Sequence, residues 1–572
     1  MKRYVKQLLS LATAIALVLS LGTTALAAGF SDMPATTHWA YNALNSAVEN
    51  NLIKGDGTRI YPEANLKRAE MAALINRAFG ATQAANISSF TDVQASAWYY
   101  SDIAKAVLMG TFKGDSSNTM RPEGSITRQE AFVALARAIK LTAGNASVLD
   151  RFTDKTLIAD WAKGAVAAMV SAGYINGADG KLNPTGTITR QEFAQLMYNT
   201  VKTYISTAGT VTSVADGNVM VNVAGVTLQN LTVKGDLIVG DGVANGDLTL
   251  YNVKVNGRLV VRGGGENSIK IINGSSVGNI VISKNADGTV RVYSDSSSTI
   301  EIINIPDGKD GVIIDCDIES LTIEGATDVL IKGAVGTVVV EKEAVGAVIN
   351  VVSGATVGKL ETNANGVTVS GEGKITAATV NGNNTAVNVV GTTVTVGTSV
   401  TGTTANGETV EGGTEVVVEA PTTPGGGGVP VSYESQIEAL FVLGVSELNS
   451  MQSDSVLGFN GTTNTITCNI VSTSKTVDQA ISAITTALDG QTAERKQHIK
   501  GHIATFVKSI TVSSRTLNVS SSTTSVELST FIINGFNIPN TAAALSTFVG
   551  KNYTVTVTDV NNNIFTYTLT VS

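Results

Sequence analysis

Phe90-Thr91-Asp92-Val93 is followed by Trp98-Tyr99 and then by Thr127-Arg128-Gln129-Glu130. The same order of residues occurs twice more. Phe30-Ser31-Asp32-Met33, Trp39-Ala40 and Lys67-Arg68-Ala69-Glu70 precede it, and Phe152-Thr153-Asp154, Trp161-Ala162 and Thr189-Arg190-Gln191-Glu192 follow it. The interval from Trp39 to Arg68 equals that from Trp161 to Arg190, and the interval from Trp98 to Arg128 is a single position longer. Self-similarity at a fixed period, here about 60 residues, marks a repeat architecture, whose units stack because one alone cannot bury its apolar face.

Each unit reads as helix, loop, helix. After the tryptophan, apolar residues recur at helical spacing: Ala43, Ala47 and Val48, then Ile103, Ala106 and Val107, then Ala165, Met169 and Ala172. A Gly-bearing loop follows, carrying Gly55, Gly114 or Gly177, and a proline (Pro62, Pro122 or Pro184) leads into the second helix. Thr127 with Glu130, and Thr189 with Glu192, spell a capping box that satisfies two orphan N–H groups at a helix start. The repeated arginine falls in that first turn, where the helix dipole disfavours a cation, so it needs a compensating partner. Two readings stay open. One is an internal ion pair with Asp32, Asp92 or Asp154; the other is a ligand anion held by an Arg fork at a helix N-terminus. For Trp39, Trp98 and Trp161, packing in a small helical core is the expectation, ahead of stacking on a sugar face.

These residues resemble the S-layer homology family, with its Phe-x-Asp, Trp-Ala, Gly-x-Gly and Ile-Thr-Arg-Ala-Glu elements. Residues 28–205 are similar to three such modules, at about 30–85, 90–145 and 152–204. The resemblance implies a pseudo-threefold helical bundle whose inter-repeat grooves bind a secondary cell-wall polysaccharide, often through a pyruvylated amino sugar. It also implies that Arg68, Arg128 and Arg190 are ligand residues, with Trp39, Trp98, Trp161, Asp32, Asp92, Asp154, Gly55, Gly114 and Gly177 framing the grooves. The first copy departs from the pattern, with Leu66-Lys67 where Ile-Thr is expected, and the second has Ser116 in place of a glycine. Arg68→Ala is therefore expected to have the mildest effect of the three.

At 572 residues the chain should form about three or four domains. Its net charge of −8 speaks against a phosphate-tracking nucleic-acid binder, which needs a basic footprint. Lys2, Arg3 and Lys6, an apolar stretch at 8–21 and Ala25-Leu26-Ala27 read as a secretory signal peptide over residues 1–27. The expected setting is the cell wall or cell surface, without a membrane span. No cofactor or metal is expected.

From 209 to 418 the pattern changes to short β-branched strands broken by Gly, Asn and Asp. Strand cores begin at Leu237, Leu259, Ile280, Ile300, Leu321, Val338, Leu360 and Val380. Their period of about 21 residues is that of a solenoid of stacked coils. It predicts a right-handed parallel β-helix rather than β-sandwich repeats, which need about 100 residues each. Within it Ile314, Cys316 and Ile318 should point inward, and Asp315, Asp317 and Glu319 outward. Those carboxylates read first as solvated, with a Ca²⁺ site or an acid/base group as the sharper alternatives. Arg258, Arg262, Lys270 and Arg291 would either hold acidic sugars or block edge pairing.

A Pro/Thr/Gly linker at 419–432 leads to an α+β domain at 433–572, with helices read at 437–451 and 477–507. Its end reads as a hairpin from Tyr553-Thr554-Val555 to Phe565-Thr566-Tyr567. His498 and His502 lack the intervening glutamate of a zincin and read as surface residues. The sequence as a whole reads as a secreted protein anchored through its modules, with the β-helix as stalk or display surface and a possible lattice-forming or adhesive role by self-association. Peptidoglycan is the second candidate wall partner. The competing reading is a wall-anchored polysaccharide lyase or hydrolase using the β-helix.

Overall fold

The computed structural model describes residues 29–307, 311–420 and six strand segments between 455 and 571. The leader, most of the linker and the helices read at 437–451 and 477–506 lie outside the described residues.

Each repeat supplies two helices: α1 (Tyr41–Glu49) and α2 (Arg68–Phe79), α3 (Tyr100–Leu108) and α4 (Arg128–Ala138), α5 (Asp160–Ser171) and α6 (Arg190–Thr200). The residues just before the second helices meet in a ring. Leu66 N–H donates to Ile188 O (2.9 Å), Ile188 N–H to Ile126 O (3.1 Å) and Ile126 N–H to Leu66 O (3.0 Å). All three side chains are buried. An apolar residue before the cap is thus required because it sits where the three units converge. Leu66 fills this place as well as isoleucine does, so its departure from the repeat costs the ring no hydrogen bond.

The glycine of each loop is where the phenylalanine of the same repeat packs. A Cβ on Gly114 would come within 2.3 Å of the Phe90 ring, and one on Gly177 within 2.9 Å of Phe152. Gly177 also has φ +71°, a conformation L side chains rarely adopt.

The second part of the chain is a β-solenoid of about ten turns. Its strands form three parallel stacks. One runs through Val219, Leu237, Leu259, Ile280, Ile303, Leu321, Val338, Leu360, Ala378 and Val394. Ile300 is therefore not in the stack the sequence period assigned it to, and Val380, although on the same strand as Ala378, is not the residue opposite Leu360. Ile300 pairs with Val277 in the neighbouring stack, and Val380 pairs with Thr362, two places beyond Leu360. The turns are unequal: the step from Ala378 to Val394 is the shortest in this stack and that from Ile280 to Ile303 the longest. An averaged period slips at that variation. The alternation around Cys316 holds, with Ile314, Cys316 and Ile318 buried. At the far end Glu408–Val410 and Glu415–Val417 fold back antiparallel on the last turn, so the open edge is covered by the chain itself.

Helical repeats and solenoid form a single packed body. Met220, Ile238 and Val260, on the outer face of the first turns, belong to the same apolar cluster as the helices. Helix C-termini carry unsatisfied carbonyls, and the solenoid supplies their donors. Asn222 donates to Ala78 O (3.1 Å), Asn218 to Thr200 O (2.8 Å) and Arg262 to Met109 O (3.0 Å). Arg258 donates to Lys140 O (2.6 Å) and Ile139 O (3.2 Å). Two cations at helix C-termini also match the macrodipole. Arg258 and Arg262 thus neither hold sugar nor guard an edge; they are the joint. Lys270 faces Asp247 at 3.6 Å, and Arg291 is paired with Asp315.

In the C-terminal part the described strands form one sheet in which Asn552–Asp559 and Ile564–Val571 make the expected hairpin. Val507, read as helical, opens the strand Val507–Val512.

Candidate functional site

The three repeats are sewn together at equivalent junctions, and the repeated arginine is the thread. Arg68 Nε donates to Met120 O (2.8 Å), Arg128 Nε to Leu182 O (3.0 Å) and Arg190 Nε to Ile60 O (2.8 Å), closing the cycle. Nη1 of each donates to the capping-box glutamate of the next repeat: Arg68 to Glu130 (3.0 Å), Arg128 to Glu192 (2.8 Å) and Arg190 to Glu70 (3.0 Å). Each glutamate divides its two oxygens. Oε2 accepts the N-cap N–H of its own helix, from Lys67, Thr127 or Thr189, while Oε1 takes the neighbour's guanidinium. Lys67 has no side-chain acceptor to return, so at α2 only that half of the box forms.

The compensating partner is thus a glutamate, not an aspartate. Asp32, Asp92 and Asp154 do something else: each carboxylate accepts two successive backbone N–H groups. Asp32 takes those of Ile60 and Tyr61 (2.9 and 2.8 Å), Asp92 those of Met120 and Arg121 (2.8 and 2.6 Å), and Asp154 those of Leu182 and Asn183 (3.0 and 2.7 Å). The second residue of each pair is held at φ 52°, 50° and 50°, a backbone region that costs a non-glycine residue energy. The aspartates anchor that strained turn.

The helix N-termini are equally occupied. Arg68 and Ala69 N–H donate to Gly124 and Pro122 O, Arg128 and Gln129 to Gly186 and Pro184 O, and Arg190 and Gln191 to Ala64 and Pro62 O. With these donors taken, an anion at the junction has the arginines to bind and not the helix ends. Nη2 of all three arginines makes no hydrogen bond among the described residues, and each guanidinium is mostly buried.

The tryptophans correct the sequence expectation. Trp39, Trp98 and Trp161 are 55%, 61% and 56% exposed, and the core is built without them. A small core filled by Ala, Leu, Ile and Phe leaves no room for an indole, which the apolar spacing could not reveal. Trp39 lies against His38, with ring centroids 5.4 Å apart. His38 in turn lines an open cavity of about 460 Å³ with Asp32, Pro34, Tyr61, Pro62, Glu63, Ala64 and Gln191, at the junction of the third and first repeats. Gly55, Gly114 and Gly177 lie under the phenylalanine rings, in packing positions.

The titration of Glu130 is displaced. Burial by itself would raise it, but the Thr127 N–H and hydroxyl, with Arg68 and Arg121, hold it below the usual carboxylate range. Burial pushes the Cys316 thiol up to about 12, so it is an inert core residue.

A second open depression of about 460 Å³ lies on the solenoid and includes Asp317, Glu319, Gly336 and Gly358. Its two carboxylates are two positions apart on the same side of one segment, whereas glycoside hydrolysis needs a pair opposed across the scissile bond. Asp317 already accepts Ala334 N–H (2.7 Å), and Asp315 is bound by Arg291 Nε (2.8 Å). Among the described residues there is no group of three or more His, Cys, Asp or Glu placed to hold a metal ion, and no helix long and apolar enough to cross a membrane.

Comparison with known proteins agrees with the repeat geometry. Residues 29–72, 89–132 and 151–194 each match the S-layer homology domain, so the chain carries three of these domains followed by a β-solenoid. It is 34% identical over 196 residues to a surface-layer 125 kDa protein of Lysinibacillus sphaericus, covering 33% of this chain and 16% of that one. To exoglucanase XynX of Acetivibrio thermocellus it is 31% identical over 166 residues, 28% of this chain and 15% of the relative. To a cellulosome-anchoring protein of the same species it is 39% identical over 83 residues, 14% and 18% of the two chains. The chain thus spans less than a fifth of the length of these relatives. Its domains make it a cell-surface protein associated with the cell wall.

Proposed function

We propose that this protein is held on the wall non-covalently by its three helical domains, which bind an anionic, pyruvylated secondary cell-wall polysaccharide in the grooves between repeats. The reading rests on one observation: a guanidinium with an unengaged Nη2 recurs at all three junctions, in a body that also presents three exposed tryptophans. A planar guanidinium matches a carboxylate, and an exposed indole offers a face to a sugar ring. Three weak sites on one rigid body gain avidity from a polymeric ligand, so anchoring needs no catalysis. The solenoid, continuous with the helical body, is then a stiff extension of the anchor. Its role is display or lattice contact and not polysaccharide cleavage.

The test is cosedimentation of the full chain with purified walls, before and after chemical removal of non-peptidoglycan polymer. Binding should disappear with the polymer, and the triple variant Trp39→Ala, Trp98→Ala, Trp161→Ala should lose binding with its melting midpoint almost unchanged. Undiminished binding to bare peptidoglycan refutes the polymer assignment.

A further inference from the structure

The three junctions share a backbone but not a charge. In the second groove Arg128 faces Glu192, and the strained position is Asn183. In the third Arg190 faces Glu70, and the strained position is Tyr61, whose hydroxyl donates to Asp56. In the first groove the strained position is Arg121. Its Nη2 donates to Glu130 Oε1 (2.8 Å), the same oxygen that accepts Arg68 Nη1 at 3.0 Å. Two guanidiniums therefore share one carboxylate oxygen. The other nearby charges leave this excess relative to the third groove in place: Lys67 is paired with Glu123, Asp92 has counterparts in both other grooves, and Asp115, which lies near Arg68 and Arg121, is matched by Asp56 at the equivalent place beside Tyr61. Arg121 is also 59% exposed along its side chain, so its charge sits at the mouth of the groove and not inside the body. The third groove differs in the opposite sense, since Glu63 lines its cavity without an ion-pair partner among the described residues.

We infer that the first groove is the anion-selecting one, with Arg121 as its specificity-determining residue, and that it takes the acidic sugar residue of the wall polymer while the other two accept less charged residues. This inference rests on the reading of the grooves as polysaccharide sites. It reverses the expectation that Arg68 is the least important of the repeated arginines: the first copy lacks the threonine cap, but its groove has gained a second guanidinium from the second repeat.

Backbone equivalence supplies the experiment. Asn183 already occupies the conformation of Arg121, so Arg121→Asn keeps the turn, and Asn183→Arg installs the guanidinium in the second groove. Binding of the full chain is measured to purified wall polymer in three forms: native, carboxyl-reduced and phosphate-stripped. Arg121→Asn should weaken binding to native polymer about tenfold at low salt, the scale of one charge-assisted contact, and flatten the salt dependence. Its affinity for polymer stripped of the acidic group should equal that of the unmodified chain. The double variant Arg121→Asn, Asn183→Arg should recover much of the loss. Whichever treatment abolishes the difference identifies the acidic group as carboxylate or phosphate. Native binding by Arg121→Asn equal to that of the unmodified chain, or an equal loss on native and stripped polymers, overturns the inference and leaves the grooves as equivalent sugar sites. Failure of the unmodified chain to bind any of the polymers overturns the parent reading as well.

Discussion

Arg262→Ala should unfold more than the solenoid turn that carries it. Arg262 is 1% exposed, and its guanidinium lies 5.4 Å from the centre of the Phe79 ring, a helix residue. Nε and Nη2 hold Asp241 at 2.8 and 3.1 Å, and Nη2 also donates to Met109 O at the end of α3. Truncation strands a buried carboxylate and a helix-terminal carbonyl together. Removing one partner of a buried pair costs about 3–5 kcal/mol, far more than either residue's exposed counterpart would lose. Removing both charges at once, as in Arg262→Met with Asp241→Asn, should cost clearly less, because no unpaired charge stays behind. The three tryptophans of the chain are all in the helical repeats, so indole fluorescence reports the unfolding of that part alone. If repeats and solenoid are one cooperative body, a solenoid substitution must move the fluorescence transition. Arg262→Ala should lower the urea midpoint by fluorescence and by far-ultraviolet circular dichroism together. An unchanged fluorescence transition alongside a lost β signal would refute the joint.

Three further outcomes are expected. Gly114→Ala should destabilise the second repeat, since its Cβ would meet Phe90 at 2.3 Å; a midpoint equal to that of Gly29→Ala, where a Cβ meets nothing within 4 Å, would show that the ring yields freely. In a Cys468→Ser background, Cys316 should resist a thiol reagent at pH 8 in the folded protein and react promptly in denaturant, as burial of its thiol requires; rapid labelling of the native state would contradict the stack. Glu130 titrates below its usual range in the folded state, so its contribution is present above the ordinary glutamate range and is lost as pH falls through the depressed value. Glu130→Gln should therefore reduce stability at pH 7 and matter least under the most acidic conditions that keep the fold; an equal loss at both pH values would rule out this linkage.

The local features of this chain could be read directly. The capping boxes, the repeated Phe-x-Asp and Trp elements, the alternation at Ile314, Cys316 and Ile318 and the terminal hairpin all follow from residues a few places apart. The solenoid followed too, since its strands recur along the chain, although unequal turns put Ile300 in the neighbouring stack and Val380 two places out of register. What no local pattern carried was the partner of each long-range charge. Arg68 meets Glu130 because three repeats close into a ring, and the aspartates that looked like its partners are consumed by distant backbone N–H groups, those of Met120 and Arg121 in the case of Asp92. The same holds for Arg258 and Arg262, which on a strand look like outward-facing cations and in the fold end four helices with Asn218 and Asn222. Sequence spacing fixes which side of an element a residue lies on; only the assembled body fixes what stands opposite, because burial and charge pairing depend on surfaces brought together from distant positions.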